Sequence, residues 1–199
     1  MIELALDFLC KQTNAYLLDK LDPAPPGDAI ILANVSQLNE MQPNSGGNGA
    51  DPQNAFVSLV SVEEDRISKS QENTIRKDNV ITYKNPKVFL NIYVLFAVSL
   101  PNYFESLRRL SLIIQFFQSK YVFDSSNSPT LDKGIEKLIV DMYTLNFEQS
   151  NQLWSTLGGR YIPSALYKVR LIGIEDTEPG TQAPLIDTII INDKNLNSN

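Results

Sequence analysis

The sequence predicts an α+β fold: one domain in which two main helices pack on a mostly antiparallel sheet. Three observations carry that expectation. Two segments, Met1 to Leu21 and Tyr103 to Tyr121, repeat apolar residues at helical spacing. Five runs alternate, or stay nearly continuously β-branched and aromatic, over strand lengths. Their order is helix, strands, strand–helix, strand–helix–strand and a tail, which suits helices gathered on a sheet built largely from antiparallel neighbours.

Met1 to Leu21 places Ile2, Leu6, Leu9, Thr13, Tyr16, Leu17 and Lys20 on one side of a helix, and Asp22-Pro23 with Pro25-Pro26-Gly27 ends it. Ala29 to Val35 reads as a short strand. Asn39 to Asn54 is a polar loop around Asn44-Ser45-Gly46-Gly47-Asn48-Gly49. That glycine-rich run is no phosphate cradle, because it lacks the lysine and the spacing of a P-loop. Phe56 to Val62 reads as a strand. Glu63 to Lys87 reads as a polar, solvated loop that is locally basic: Arg66, Lys69, Arg76, Lys77, Lys84 and Lys87 outweigh Glu72 and Asp78. An acidic neighbour in an assembly would suit it.

Val88 to Leu100 is the strongest strand signal and reads as buried on both faces. Pro101-Asn102 stops it. In the Tyr103 to Tyr121 helix, Phe104, Leu107, Leu110, Ile114 and Phe117 form the expected core stripe, with Arg108 and Arg109 off it. Asp124 to Pro129 is a turn. Gly134 to Asn146 is ambiguous, and its alternation favours a strand. Phe147 to Leu157 reads as a short helix closed by Gly158-Gly159. Ser164 to Glu175 alternates as a half-buried strand, with Tyr167, Val169 and Leu171 inward and Lys168 and Arg170 on a cationic outer face. This sets the domain at 1–178 and a C-terminal arm at 179–199, whose one apolar stretch is Leu185 to Ile191.

Composition narrows function. The chain of 199 residues carries a net charge of -6 and no histidine. The acidity speaks against nucleic acid as the main partner. Without histidine, Ser-His-Asp and Cys-His sites and the usual zinc sites are excluded. No cofactor and no metal are expected. The single cysteine, Cys10, sits in an apolar run and reads as a core residue. The acidic clusters Glu63-Glu64-Asp65 and Glu175-Asp176 lie at strand ends, where charged loop residues are common. A carboxylate hydrolase would need them to converge in one pocket. No window is long and apolar enough to span a bilayer, and the N-terminus lacks the basic start of a signal peptide. Synthesis and folding in the cytoplasm follow as the expectation. Trp154 reads as a core residue first and an interface anchor second.

Two stretches resemble a known family. One is Asn85-Pro86 leading into Val88-Phe89-Leu90-Asn91-Ile92-Tyr93-Val94-Leu95-Phe96 and the helix after it. The other runs from Asn151 to Arg170 and holds Leu153-Trp154-x-x-Leu157-Gly158 and Pro163-Ser164-x-x-Tyr167-x-Val169-Arg170. Both resemble a family long catalogued as a domain of unknown function. Its better-known members are the cap, or tail-terminator, proteins of extracellular contractile injection systems of the antifeeding-prophage type. The resemblance runs from about Ile2 to Glu175. It implies a tail-terminator-like fold, no catalytic residues, and a hexameric ring that stops growth of the inner tube and sheath. Such a particle can be released from the cell. The chain lacks the large extension that longer members carry after Gly180, which leaves open a cap-adaptor layer between tube and cap. A small ligand-binding module of the same fold is the other alternative.

The residues expected at assembly contacts are Arg66, Lys69, Arg76, Lys77, Trp154, Arg160, Lys168, Arg170, Leu185, Ile186, Ile189, Ile190 and Ile191. The apolar arm segment is expected to add a strand to a neighbour's sheet edge.

Overall fold

The computed structural model describes residues 1–37, 54–65, 74–77, 80–83, 89–158, 160–173 and 182–184. Helix α1 (Ile2–Lys20) leads into β1 (Ile30–Leu32) and a 3-10 turn at Val35–Gln37. Strand β2 (Ala55–Glu64) is followed by β3 (Thr74–Lys77), β4 (Val80–Tyr83) and β5 (Phe89–Val98). Helix α2 (Tyr103–Ser119), β6 (Val122–Asp124), β7 (Ile135–Met142), α3 (Phe147–Thr156), β8 (Ser164–Gly173) and β9 (Gln182–Pro184) complete the order.

Six strands form one sheet in the order β1-β2-β5-β8-β7-β6. Among the described residues only the β1–β2 pairing is parallel. The α+β expectation therefore holds, and so does the strand reading of Gly134 to Asn146. Bulges interrupt β2 between Leu59 and Ser61 and β7 between Ile135 and Lys137. Such extra residues bend and twist a strand.

The segment read as a solvated loop departs from expectation. It contains β3 and β4, which pair antiparallel, and β9 joins β4 to make a separate three-stranded sheet. Its polar composition hid short strands, because an edge hairpin need not carry an apolar alternation. The loop expected at Asn39 to Asn54 lies outside the described residues except for Asn54.

The pleat divides the large sheet into two faces. Ile92, Val94, Phe96 and Val98 of β5 face the core under α1 and α2, as do Tyr167, Val169 and Leu171 of β8. Leu95 and Ala97 of β5, Phe56 of β2 and Leu166 of β8 face the other way, toward α3. Hence β5 is buried on both faces, as its continuous apolar run predicts. An aromatic triangle locks α2 to the sheet: Phe96, Phe117 and Tyr167 have ring centroids 4.9–5.5 Å apart. Each such pair adds about 0.5–1.5 kcal/mol beyond area burial. Cys10 is buried in this core and its Sγ donates to the Ile30 carbonyl at 3.6 Å. Burial pushes its thiol pKa up to about 12, so it is an inert core residue.

Helix α2 corrects the predicted stripe. Its buried residues are Ser106, Ile113, Phe116 and Phe117, whereas Phe104 is 70% exposed and Leu107 is also exposed. The body-facing side of its first half is polar and bonded. The Leu100 amide donates to the Ser106 hydroxyl at 3.1 Å. Arg109 Nη1 donates to the Ala29 carbonyl at 2.9 Å and to Asn54 Oδ1 at 3.1 Å. These bonds fix the rotation of the helix, and periodicity alone does not see them.

Candidate assembly surfaces

Helix α3 positions Trp154 and the motif around it. Asn146 caps it: its side chain accepts from the Gln149 amide at 2.8 Å, and the Gln149 side chain accepts from the Asn146 amide at 3.1 Å. This capping box satisfies donors that the first turn leaves free. At the other end Gly158 takes φ 106°, the left-handed conformation that stops the helix and that glycine adopts without strain. Between these stops Trp154 points into the sheet. It is 5% exposed, clusters with Phe56, Leu95, Ile162 and Leu166, and meets the Tyr161 ring edge-on at 5.7 Å. Trp154 is thus a core residue of its own subunit. Its partly buried apolar neighbours in this segment are Leu153 and Leu157, whereas Phe147 and Asn151 are exposed. A cleft of about 260 Å³ beside it is lined by Leu145, Leu153 and Tyr161, among others.

Helix α3 covers only part of its face of the sheet. Beyond it lie Asn91 and Tyr93 of β5, Glu63 of β2, Lys168 and Arg170 of β8, and Asp141 of β7. Strand register sets Asn91 beside both Glu63 and Arg170, and Tyr93 beside Lys168. Tyr93 Oη donates to Glu63 Oε2 at 3.0 Å, and its ring meets Tyr143 edge-on at 5.2 Å. Burial, then this bond to Glu63, raises the Tyr93 pKa. Arg170 Nη2 pairs with Asp141 Oδ2 at 3.0 Å. The cationic outer face expected for β8 is therefore partly neutralised: Arg170 is exposed but paired, and Lys168 is half-buried. The Asn91 Oδ1 is buried and accepts no hydrogen bond.

The other expected contact residues scatter. Arg160 is exposed next to the α3 terminus. Arg76 and Lys77 lie on β3. Arg66, Lys69, Leu185, Ile186, Ile189, Ile190 and Ile191 lie outside the described residues. So does Glu175, and the Glu63 carboxylate already accepts from Tyr93. Among the described residues no three His, Cys, Asp or Glu side chains gather as a metal site would require. No described helix is long and apolar enough to cross a membrane.

Two features escaped the sequence. Arg109 is a structural clamp from α2 to the start of β1 and β2, and burial lowers its pKa. Nothing local marks it, since its partners lie 55 and 80 residues away. Phe147 is 97% exposed. The Asn146 cap marks it as the first helical residue, a position whose side chain need not reach the core.

The family described as the Pvc16 N-terminal domain matches residues 14–188. No curated protein matches the chain. Two solved structures share its fold. One is the sheath/tube terminator of the PVC extracellular contractile injection system in the extended state, with 15% identity and a TM-score of 0.56. The match covers 97% of this chain and 64% of that one. The other is the tube-terminating cap of the anti-feeding prophage, with 13% identity, a TM-score of 0.56, and coverage of 96% and 60%. The chain thus spans less than two thirds of either solved protein's length. With most of its residues matched, the chain belongs to the Pvc16 N-terminal domain family.

Proposed function

We propose that the chain is a non-catalytic ring subunit that caps the tube of a contractile injection particle and ends the growth of tube and sheath. The observation that carries this reading is family membership over residues 14–188, together with a fold shared along nearly the whole chain with two solved terminators. The surface described above supports it in kind. The described polar groups are spread across a sheet face, with Tyr93 bonded to Glu63 and Arg170 to Asp141, an arrangement suited to contact rather than to chemistry.

The ring is hexameric in this reading, and its contacts are heterologous, so that each subunit presents two different surfaces. Its partners are copies of itself and the tube and sheath proteins, and the finished particle leaves the cell. The polar half-face around Tyr93, Lys168 and Arg170 is one contact, and Arg160 past the end of α3 joins the interface. The basic segment that includes Arg66, Lys69, Arg76 and Lys77 is a second, and the arm from residue 179 onward is a third. Negative-stain microscopy of the purified chain tests the ring. Six-fold closed particles are expected, and a population that stays monomeric at every concentration would overturn the reading.

A further inference from the structure

We infer that the outer edge of β2 accepts a strand from a second copy of this chain, namely that copy's apolar segment Leu185–Ile191. The inference rests on the ring reading above and names one of its contacts.

The acceptor is built by an early stop. Strand β1 pairs with Ala55 to Val57 only, and the Ala33 amide donates to the Val57 carbonyl at 3.0 Å. The chain then turns away through the 3-10 turn, where the Val35 amide reaches the Ser58 hydroxyl at 3.4 Å. From Leu59 to Val62 no strand lies on the outer side of β2 among the described residues. An uncovered strand edge offers a row of amides and carbonyls to any extended segment. Folds usually blunt such an edge with lysine or proline, and Leu59-Val60-Ser61-Val62 contains neither.

Apolar surface flanks the same edge. Leu32 is 43% and Leu59 39% exposed, and Val62 is exposed beyond them. Leu32 and Leu59, with Ile2, Leu6 and Val57, line a groove of about 490 Å³. Edge amides supply affinity in strand addition, and side-chain pockets at every second residue supply selectivity.

The donor segment fits in chemistry and length. Leu185-Ile186-Asp187-Thr188-Ile189-Ile190-Ile191 is rich in β-branched residues. In an extended strand Ile186 and Ile190 share one face, and Asp187 takes the other. Seven extended residues span about 23 Å, enough to run the whole of Leu59 to Val62. The segment begins immediately after β9, which ends at Pro184. Strand β9 runs antiparallel to β4, and the chain from β4 enters β5 after residues 84–88. Strand β9 thus ends at Pro184 opposite Val80, the start of β4 and the end farther in sequence from β5.

Photo-crosslinking tests this on the full chain. The chain carrying p-benzoylphenylalanine at Leu59 is mixed with isotopically heavy unsubstituted chain, assembled, irradiated and digested. Mass spectrometry is expected to join Leu59 of the light chain to a heavy peptide within 185–191. A chain truncated after Pro184 should lose that product and assemble at least about tenfold more weakly. Rings that form normally while Leu59 crosslinks only to its own tail, or to another segment, overturn the exchange and leave the ring intact. A truncated chain that assembles as well as the full one does the same. A full chain that never assembles overturns the ring reading, and the exchange falls with it.

Discussion

Replacing Arg109 by methionine tests whether the clamp from α2 sets the seating of that helix. The guanidinium Nη1 donates to the Ala29 carbonyl at 2.9 Å and to Asn54 Oδ1 at 3.1 Å. Hydrogen bonds to a charged group contribute about 1.5–3 kcal/mol each, so two are worth about 3–6 kcal/mol before offsets. The offset is real here, because Arg109 Nε is buried without a partner and burial lowers the group's pKa. Removing that orphaned donor returns about 1–3 kcal/mol. Methionine also keeps most of the apolar stem in place. The Ala29 carbonyl loses its arginine partner beside a residue that is itself fully buried. The net expectation is a loss of about 2 kcal/mol, which for a chain of this size lowers the melting temperature by about 4–8 °C. Arg109→Lys should recover less than half of the loss, since an ammonium lacks the planar fork. Thermal unfolding followed by circular dichroism reads both. A methionine variant that melts within about 1 °C of the parent, or above it, would show that the desolvation penalty cancels the bonds and that apolar packing alone seats α2.

Three further outcomes follow from the same structure. Trp154→Ala should cost about 3–5 kcal/mol in denaturant unfolding, because the ring fills the cluster beneath α3; a loss below about 1 kcal/mol would place the ring at a subunit contact instead. Asn146→Ala removes the cap from α3 and should cost about 1 kcal/mol, and an unchanged unfolding midpoint would count against the capping box. Stability should fall as pH rises through the alkaline range. Burial holds Cys10 and Tyr167 at about 12 in the folded chain, above ordinary values of 9.0 and 10.0. The folded state keeps protons that the unfolded state releases, so their contribution is complete below about pH 9 and is lost progressively toward pH 12. Melting temperatures that stay flat between neutral pH and pH 11 would contradict it.

How far the fold was legible depended on where its signals lie along the chain. Strand β5 announced itself, because burial on both faces leaves an unbroken apolar run that few other structures tolerate. Strand β8 and the exit of α3 were equally plain, since alternation and a glycine stop are local features. The rotation of α2 was not. Phe104 and Leu107 keep helical spacing with Leu110 and Ile114, and the bond from Leu100 to Ser106 with the long-range bonds of Arg109 turns them outward. The small sheet was missed because β3 and β4 are only four residues each and lie in a segment rich in charge.

The surface was harder to read than the core. The cationic stripe at Lys168 and Arg170 is real in sequence, yet pairing with Asp141 across the β7–β8 ladder neutralises half of it. Exposed pairs of this kind contribute about 0–1 kcal/mol, so the pair shapes recognition more than stability. Trp154 shows the converse. The motif around it identified the family, although the ring serves the monomer's own core. A family signature marks residues the fold requires, and those need not be the residues that touch a partner.

The central claim is that this chain ends the growth of a tube. Electron microscopy of particles produced with and without it tests that claim most directly. With the chain present, particles should share one length and carry a closed density at the end away from the baseplate. Without it, the account predicts tubes and sheaths of scattered, extended length with open ends. Particles of unchanged length and unchanged ends in its absence would contradict the account.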